Sequence, residues 1–120
     1  MAIKESGEMY LETILILSGR LEHVRAIDVG EYMGYSKPSV SKALSILKNE
    51  GLVKNDRYGF ICLTETGKKV AETIYERHTV LTKVLVSLGV DEITASEDAC
   101  RIEHVISDVS MNAIRQHAVL

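Results

Sequence analysis

The chain has 120 residues, 46% of them hydrophobic, and a formal net charge of −3. That length fits one compact domain, or one and a half, with apolar residues enough for a core, and the composition excludes a long disordered tail. The longest aliphatic run, Ile14 to Leu17, is far too short to span a bilayer, and Met1-Ala2-Ile3-Lys4-Glu5 lacks the order of a secretory signal, so no membrane partner is expected. Ser6-Gly7-Glu8 precedes Met9, Leu11, Ile14, Leu15 and Leu17, a spacing that predicts an amphipathic first helix ending at Ser18-Gly19. Ala26 to Met33 reads as a short second helix closed by Gly34, a natural left-handed cap. Ser36 then caps a third helix with Pro38 in its first turn, an inward stripe of Val40, Ala43, Leu44 and Leu47, and an end at Gly51. Val53-Lys54-Asn55 and Phe60-Ile61-Cys62-Leu63 flank a glycine-containing connection, hence a small hairpin.

A short helix, a tight turn with a glycine, a capped helix and then a hairpin is the order of a winged helix-turn-helix. With the third helix's apolar stripe inward, Ser36, Pro38, Ser39, Ser41, Lys42 and Ser45 lie outward or flanking. Small polar side chains let a helix sit deep in the major groove, where serine hydroxyls and the Pro38 ring meet base edges. The net charge argues weakly against nucleic acid, but its distribution reverses that reading. Between positions 37 and 57, Lys37, Lys42, Lys48, Lys54 and Arg57 face only Glu50 and Asp56, whereas acidic residues dominate later. Lys37, Lys48, Lys54 and Arg57 are therefore expected on phosphates, with double-stranded DNA as the partner.

Thr64 caps a long helix running toward Gly89, with Val70, Ile74, Leu81, Leu85 and Leu88 as its buried stripe. His78 falls in that stripe, where an imidazole needs a polar partner. Further on, Asp98-Ala99-Cys100-Arg101-Ile102-Glu103-His104 sets a thiol, a carboxylate and an imidazole at i, i+3 and i+4, so a helix would aim all three at one spot while Ala99, Ile102 and Ile106 take the opposite, apolar face. Ser107-Asp108 caps a last helix carrying Met111, Ile114 and Ala118. The apolar faces of these last helices need more cover than so short a chain supplies, which predicts a two-fold homodimer and, with two reading helices, a palindromic operator. Cys62 and Cys100 form no CxxC pair or secreted framework, which points to reduced thiols in a cytoplasm.

Four segments resemble the iron- and manganese-responsive repressors typified by the diphtheria toxin repressor and the manganese transport regulator. They are Glu8-Met9-Tyr10-Leu11-Glu12, then Ser36-Lys37-Pro38-Ser39-Val40-Ser41 with Gly51-Leu52-Val53, then Leu63-Thr64-Glu65-Thr66-Gly67 with Arg77-His78, and Glu97 to Asp108. The resemblance covers nearly the whole chain and implies a dimeric, metal-activated repressor of metal-homeostasis genes. It implies a mainly α fold, with a winged helix-turn-helix DNA-binding domain over 1–63 and an α-helical metal-binding and dimerisation domain over 64–120. It also implies that Met9 joins Cys100, Glu103 and His104 as an effector-site ligand, tying the first helix to the acidic half of the chain.

Thioether and thiolate ligands favour softer ions, so Met9 and Cys100 make Fe²⁺ the expected effector, with Co²⁺, Ni²⁺ or Zn²⁺ as substitutes in vitro. Glu12, one turn after Met9, resembles the acidic residue of manganese-type relatives and keeps Mn²⁺ as an alternative. His78 matches a second-site ligand of the iron type, yet Thr82 and Ser96 stand where that pattern has glutamate and histidine. A complete ancillary site is therefore not expected, and His78 with Glu12 or Glu97 is the residual option. With the sequence closing at Leu120, no SH3-like domain of the iron type is expected. Two rival classes stand beside this reading. An enzyme or metal buffer leaves the basic helix-turn-helix without a purpose, and no nucleophile–base pair or phosphate loop appears. A winged-helix regulator sensing a non-metal ligand or a partner would leave His78, Cys100 and His104 merely packed.

Overall fold

The computed structural model describes residues 5–118, which divide into two compact units, one up to Glu72 and one from Thr73. The first holds α1 (Glu5–Ser18), α2 (Ala26–Met33), α3 (Lys37–Asn49), β1 (Val53–Asn55), β2 (Ile61–Leu63) and the start of α4 (Glu65–Ser87). Ser6, expected at the first helix's N-terminal boundary, lies inside α1. The apolar period is the reason the helices fold together. Tyr10, Leu11, Ile14 and Leu17 of α1, Val29 of α2 and Val40, Leu44 and Leu47 of α3 share one buried cluster with Leu52, Val53, Ile61 and Ala71. Burial lifts the Tyr10 hydroxyl above its ordinary pKa, helped by neighbouring Tyr35.

Each junction has a local cause. Gly34 closes α2 at φ 72°, its N–H and that of Tyr35 both donating to the Gly30 carbonyl at 2.8 and 3.1 Å. Ser36 then caps α3, accepting from the Ser39 N–H. β1 and β2 pair antiparallel, with Val53 opposite Leu63 and Asn55 opposite Ile61. The second strand begins one residue later than expected because Phe60 belongs to the tip: its N–H donates to Asp56 Oδ1 at 3.0 Å and its carbonyl accepts from the Asp56 N–H at 2.9 Å. The return strand is locked to the end of α3 at Thr64, which donates from its hydroxyl to the Gly51 carbonyl at 2.7 Å and accepts from the Gly67 N–H at 3.0 Å. Only glycine fits at Gly67, since a β-carbon there would lie 1.9 Å from the Leu52 carbonyl oxygen.

The second unit comprises the rest of α4, α5 (Glu92–Ile102) and α6 (Asp108–His117). Asp91 and Ser107 cap α5 and α6 by accepting from the N–H groups of Thr94 and Ser110. Its buried apolar residues are few: Ile74, Leu81, Ala95, Ala99 and Met111, with Val80, Ile102, Ile106 and Ile114 half-buried around the cluster of Leu81, Ala99 and Met111. The α4 stripe is shorter than its period predicts, because the helix stops at Ser87 and leaves Leu88 75% exposed in the following turn. A bidentate ion pair from Arg115 of α6 to Glu76 of α4 ties the two helices and holds the Glu76 carboxyl below its ordinary pKa. Among the described residues no helix is long and apolar enough to cross a membrane.

Candidate metal centre and nucleic-acid face

The metal-type residues gather at the end of α5. The helix stops at Ile102, earlier than a register running through Ile106 would have it, but Glu103 keeps right-handed helical angles (φ −59°, ψ −25°) as the cap residue. The convergence that the i, i+3, i+4 spacing demands therefore survives the helix end. One ligand atom each from Cys100, Glu103 and His104 lies within 4.8 Å of the others, slightly wider than the spread of about 4.6 Å or less that one first-row ion allows at bonds of about 2.0–2.3 Å, so a small inward movement would complete the grip. The face carrying them is not the polar, solvated side that a simple two-sided helix implies. Glu103 is fully buried, the His104 side chain is 4% exposed, and Ile102 and Ile106 on the other side are only half-buried.

A carboxylate with no solvent contact needs compensating charge nearby. Glu103 Oε1 lies 3.2 Å from His104 Nε2 and Oε2 lies 3.0 Å from His78 Nδ1, so two imidazoles flank it. His78 thus meets Glu103 within this unit. Thr82 and Ser96, which break the iron-type ancillary pattern, serve His78 instead: Ser96 Oγ is 3.3 Å from its Nε2, and the Thr82 hydroxyl donates to its carbonyl at 2.7 Å. The donor set is one thiol, one carboxylate and one or two imidazoles around a buried charge, which fits a divalent transition-metal ion. Neither Cys62 nor Cys100 is in a disulfide. Met9 and Glu12 sit half-buried on α1 in the first unit.

Every residue expected to meet DNA is exposed: Ser36, Lys37, Pro38, Ser39, Ser41 and Lys42 at the start of α3, Lys48 in its last turn, and Lys54 and Arg57 on the hairpin. Ser36 and Ser39 are partly committed, since the Ser36 hydroxyl both accepts from the Ser39 N–H and lies 3.0 Å from the Ser39 hydroxyl. The hairpin tip is preorganised. Asp56 Oδ1 accepts from the N–H groups of Tyr58 and Phe60, and Asn55 Nδ2 donates to the Gly59 carbonyl. On this tip the Arg57 guanidinium lies over the Tyr58 ring, 5.4 Å from its centroid. Sequence reasoning missed Ser96, Tyr58 and Arg77. Only Tyr58, between an arginine and a glycine in a predicted loop, offered a local signal; the partners of the other two are distant in sequence.

Comparison with known proteins supports both units. Residues 2–60 match the family profile "Iron dependent repressor, N-terminal DNA binding domain", and residues 64–118 match "Iron dependent repressor, metal binding and dimerisation domain". The transcriptional regulator MntR of Escherichia coli O6:H1 is 33% identical over 112 residues, covering 93% of this chain and 72% of the relative. An uncharacterised helix-turn-helix transcriptional regulator of Methanocaldococcus jannaschii, MJ0568, is 31% identical over 115 residues, covering 94% of this chain and 92% of its own. Among solved structures, the manganese regulator SloR superimposes with a TM-score of 0.81 at 30% identity over 97% of this chain. A manganese-dependent transcriptional repressor in complex with manganese gives 0.84 at 28% identity over 92%. The chain spans about half the length of these two, 54% and 51%. The chain belongs to the iron-dependent repressor family.

Proposed function

We propose that the protein is a metal-dependent DNA-binding transcriptional repressor, with residues 1–63 reading DNA and residues 64–120 binding metal and forming a homodimer. The observation that carries the reading is the gathering of Cys100, Glu103 and His104 around a fully buried carboxylate, beside His78. Such a cluster aims the lone pairs of a sulfur, a carboxylate and an imidazole at one spot beside a buried acid, and a divalent cation there would compensate its charge. Met9 and Glu12 are further ligands by family resemblance. A metal held by both α1 and the α5 end would bias the DNA-reading unit toward its binding-competent state, and linkage then requires operator DNA to tighten metal binding by the same factor. Ser36, Pro38, Ser39, Ser41 and Lys42 face the major groove, while Lys37, Lys48, Lys54 and Arg57 hold phosphates. Exposed apolar side chains on the second unit, among them Ile93, Val105 and Val109, support a partner subunit there, and with it a palindromic operator.

The thioether of Met9 and the thiolate of Cys100 make Fe²⁺ the favoured effector, with Co²⁺, Ni²⁺ and Zn²⁺ as substitutes in vitro. Mn²⁺ is the second reading, favoured by the hard carboxylate of Glu12 and by the manganese-regulator relatives. The test is an anaerobic titration of fluorescent duplex, selected by the protein from a random pool, with and without Fe²⁺ or Mn²⁺. Cys100→Ala and Glu103→Ala should abolish the metal response while sedimentation shows an intact dimer. Met9→Asp should shift preference toward Mn²⁺ by exchanging a soft donor for a hard one. A metal response unchanged in Cys100→Ala and Glu103→Ala rejects the site.

A further inference from the structure

The metal ligands Glu103 and His104 stand just past the end of α5, in a turn closed by the Glu103 N–H donating to the Ala99 carbonyl and the Ile106 N–H to the Ile102 carbonyl, both at 2.9 Å. Arg77, the α4 residue before His78, reaches this turn. Its Nη1 donates to the Glu103 carbonyl at 3.3 Å, and its guanidinium pairs with Asp108, the first residue of α6. The Arg77 side chain is only 15% exposed, so this is a held guanidinium and not a surface charge that happens to lie close. One arginine thus supplies a donor to a terminal carbonyl of α5 and a counter-charge to the first turn of α6, bracketing the segment that carries Glu103 and His104. The neighbouring His78 meets the Glu103 carboxylate at the same time, so consecutive residues of α4 hold Glu103 by its main chain and its side chain.

We propose that Arg77 is a positioning residue of the metal centre: it presets the turn from which Glu103 and His104 present their ligand atoms, and through Asp108 it links that geometry to α6. The inference rests on the metal-site reading above. Outer-shell groups that orient metal ligands typically change affinity by about 10–100-fold when removed. Lysine is not an adequate substitute, because a single ammonium lacks the planar fork that serves a carbonyl and a carboxylate together.

The test is titration of full-length protein with Co²⁺ under anaerobic conditions, following the cobalt d–d absorption and the thiolate-to-cobalt charge-transfer band in wild type, Arg77→Gln and Arg77→Lys. Arg77→Gln should bind Co²⁺ about 10–100-fold more weakly with shifted d–d bands, and Arg77→Lys should fall between it and wild type. Wild-type affinity and an unaltered cobalt spectrum in both variants would overturn the role of Arg77 while leaving the metal site standing. Wild-type protein that binds no Co²⁺ would overturn the metal reading and this inference with it. If Arg77→Gln does not fold, Arg77→Lys decides: an unchanged affinity and spectrum overturns the proposal, and a weakened, shifted one supports it.

Discussion

In the first unit the buried side chains are almost all aliphatic or aromatic, drawn from three helices, a hairpin and the start of α4, with Thr13 the polar exception. In the second the buried apolar residues are fewer, Ile74, Leu81, Ala95, Ala99 and Met111, and the buried polar group is Glu103. The first unit is therefore held by area removed from water, which depends little on pH or ligands and suits a rigid surface for reading DNA. The second is held by polar contacts whose strength depends on what occupies or protonates them, which suits a sensor. Conditions that change charge or metal content should act on the second unit first.

The sharpest way to break the first unit without touching its apolar residues is Gly67→Ala. The added methyl meets the Leu52 backbone, which cannot swing aside as a side-chain end could, so the start of α4 must separate from the β1 strand's entry. A loss of about 3 kcal/mol or more is expected, at the upper end of what overpacking costs. Chemical denaturation followed by far-ultraviolet circular dichroism measures it, and a loss below about 1 kcal/mol would mean the packing there is looser than described.

Metal should separate the two units next. Co²⁺ or Mn²⁺ at about 100 times its dissociation constant adds roughly 2.7 kcal/mol to whatever structure binds it. Hydrogen exchange should show this gain at amides of α5 and α6. Cys100→Ala should remove it, and equal protection of those amides with and without metal would mean that the second unit is no more responsive to metal than the first. A smaller effect distinguishes holding DNA from reading it. Arg57→Ala on the exposed wing tip should weaken selected and random duplexes alike and flatten the slope of log affinity against log salt by about 1. Loss confined to the selected duplex would instead make Arg57 a base-reading residue.

How much of this was legible in the sequence divides along the same line. The caps at Gly34 and Ser36, the α3 stripe and the register around Gly59 are local, set by residues within a turn of one another, and α2 runs over the residues its pattern predicts. The Cys100, Glu103 and His104 grouping was legible for the same reason, since backbone periodicity alone brings them together. What escaped was non-local. Nothing in the neighbourhood of His78 tells that Glu103, 25 positions on, will bury its carboxylate against it, or that Ser96 will meet the other ring nitrogen. Arg77 reads as a solvated charge until α6 is folded back to bring Asp108 to it. The early end of α5 was hidden because Glu103 keeps helical angles and still donates its N–H to the Ala99 carbonyl, so the chain leaves the helix only after it.

The smallest effect tests whether exposed charge in the second unit contributes as its buried charge does. Arg115 donates to both oxygens of Glu76, and this pairing is the main cause that lowers the Glu76 pKa from its ordinary 4.5, while Arg115 is held charged well above any working pH. A carboxyl whose folded pKa is depressed contributes stability that is fully present above its unfolded pKa, here about 4.5, and that is lost as pH falls through the lower folded value. Glu76 is 45% exposed and Arg115 32%, so solvent screens the pair, and about 0.5–1 kcal/mol is the expected size. In metal-free protein, the stability gap between wild type and Glu76→Gln should be this large well above pH 4.5 and should close as pH falls through the lowered folded pKa, where protonated Glu76 comes to resemble glutamine. Denaturant melts across that range measure the gap. A gap that stays constant with pH would mean that Glu76 supports α6 by packing its methylenes and not by its charge, and that only the buried carboxylate of Glu103 makes the second unit responsive to its ionic surroundings.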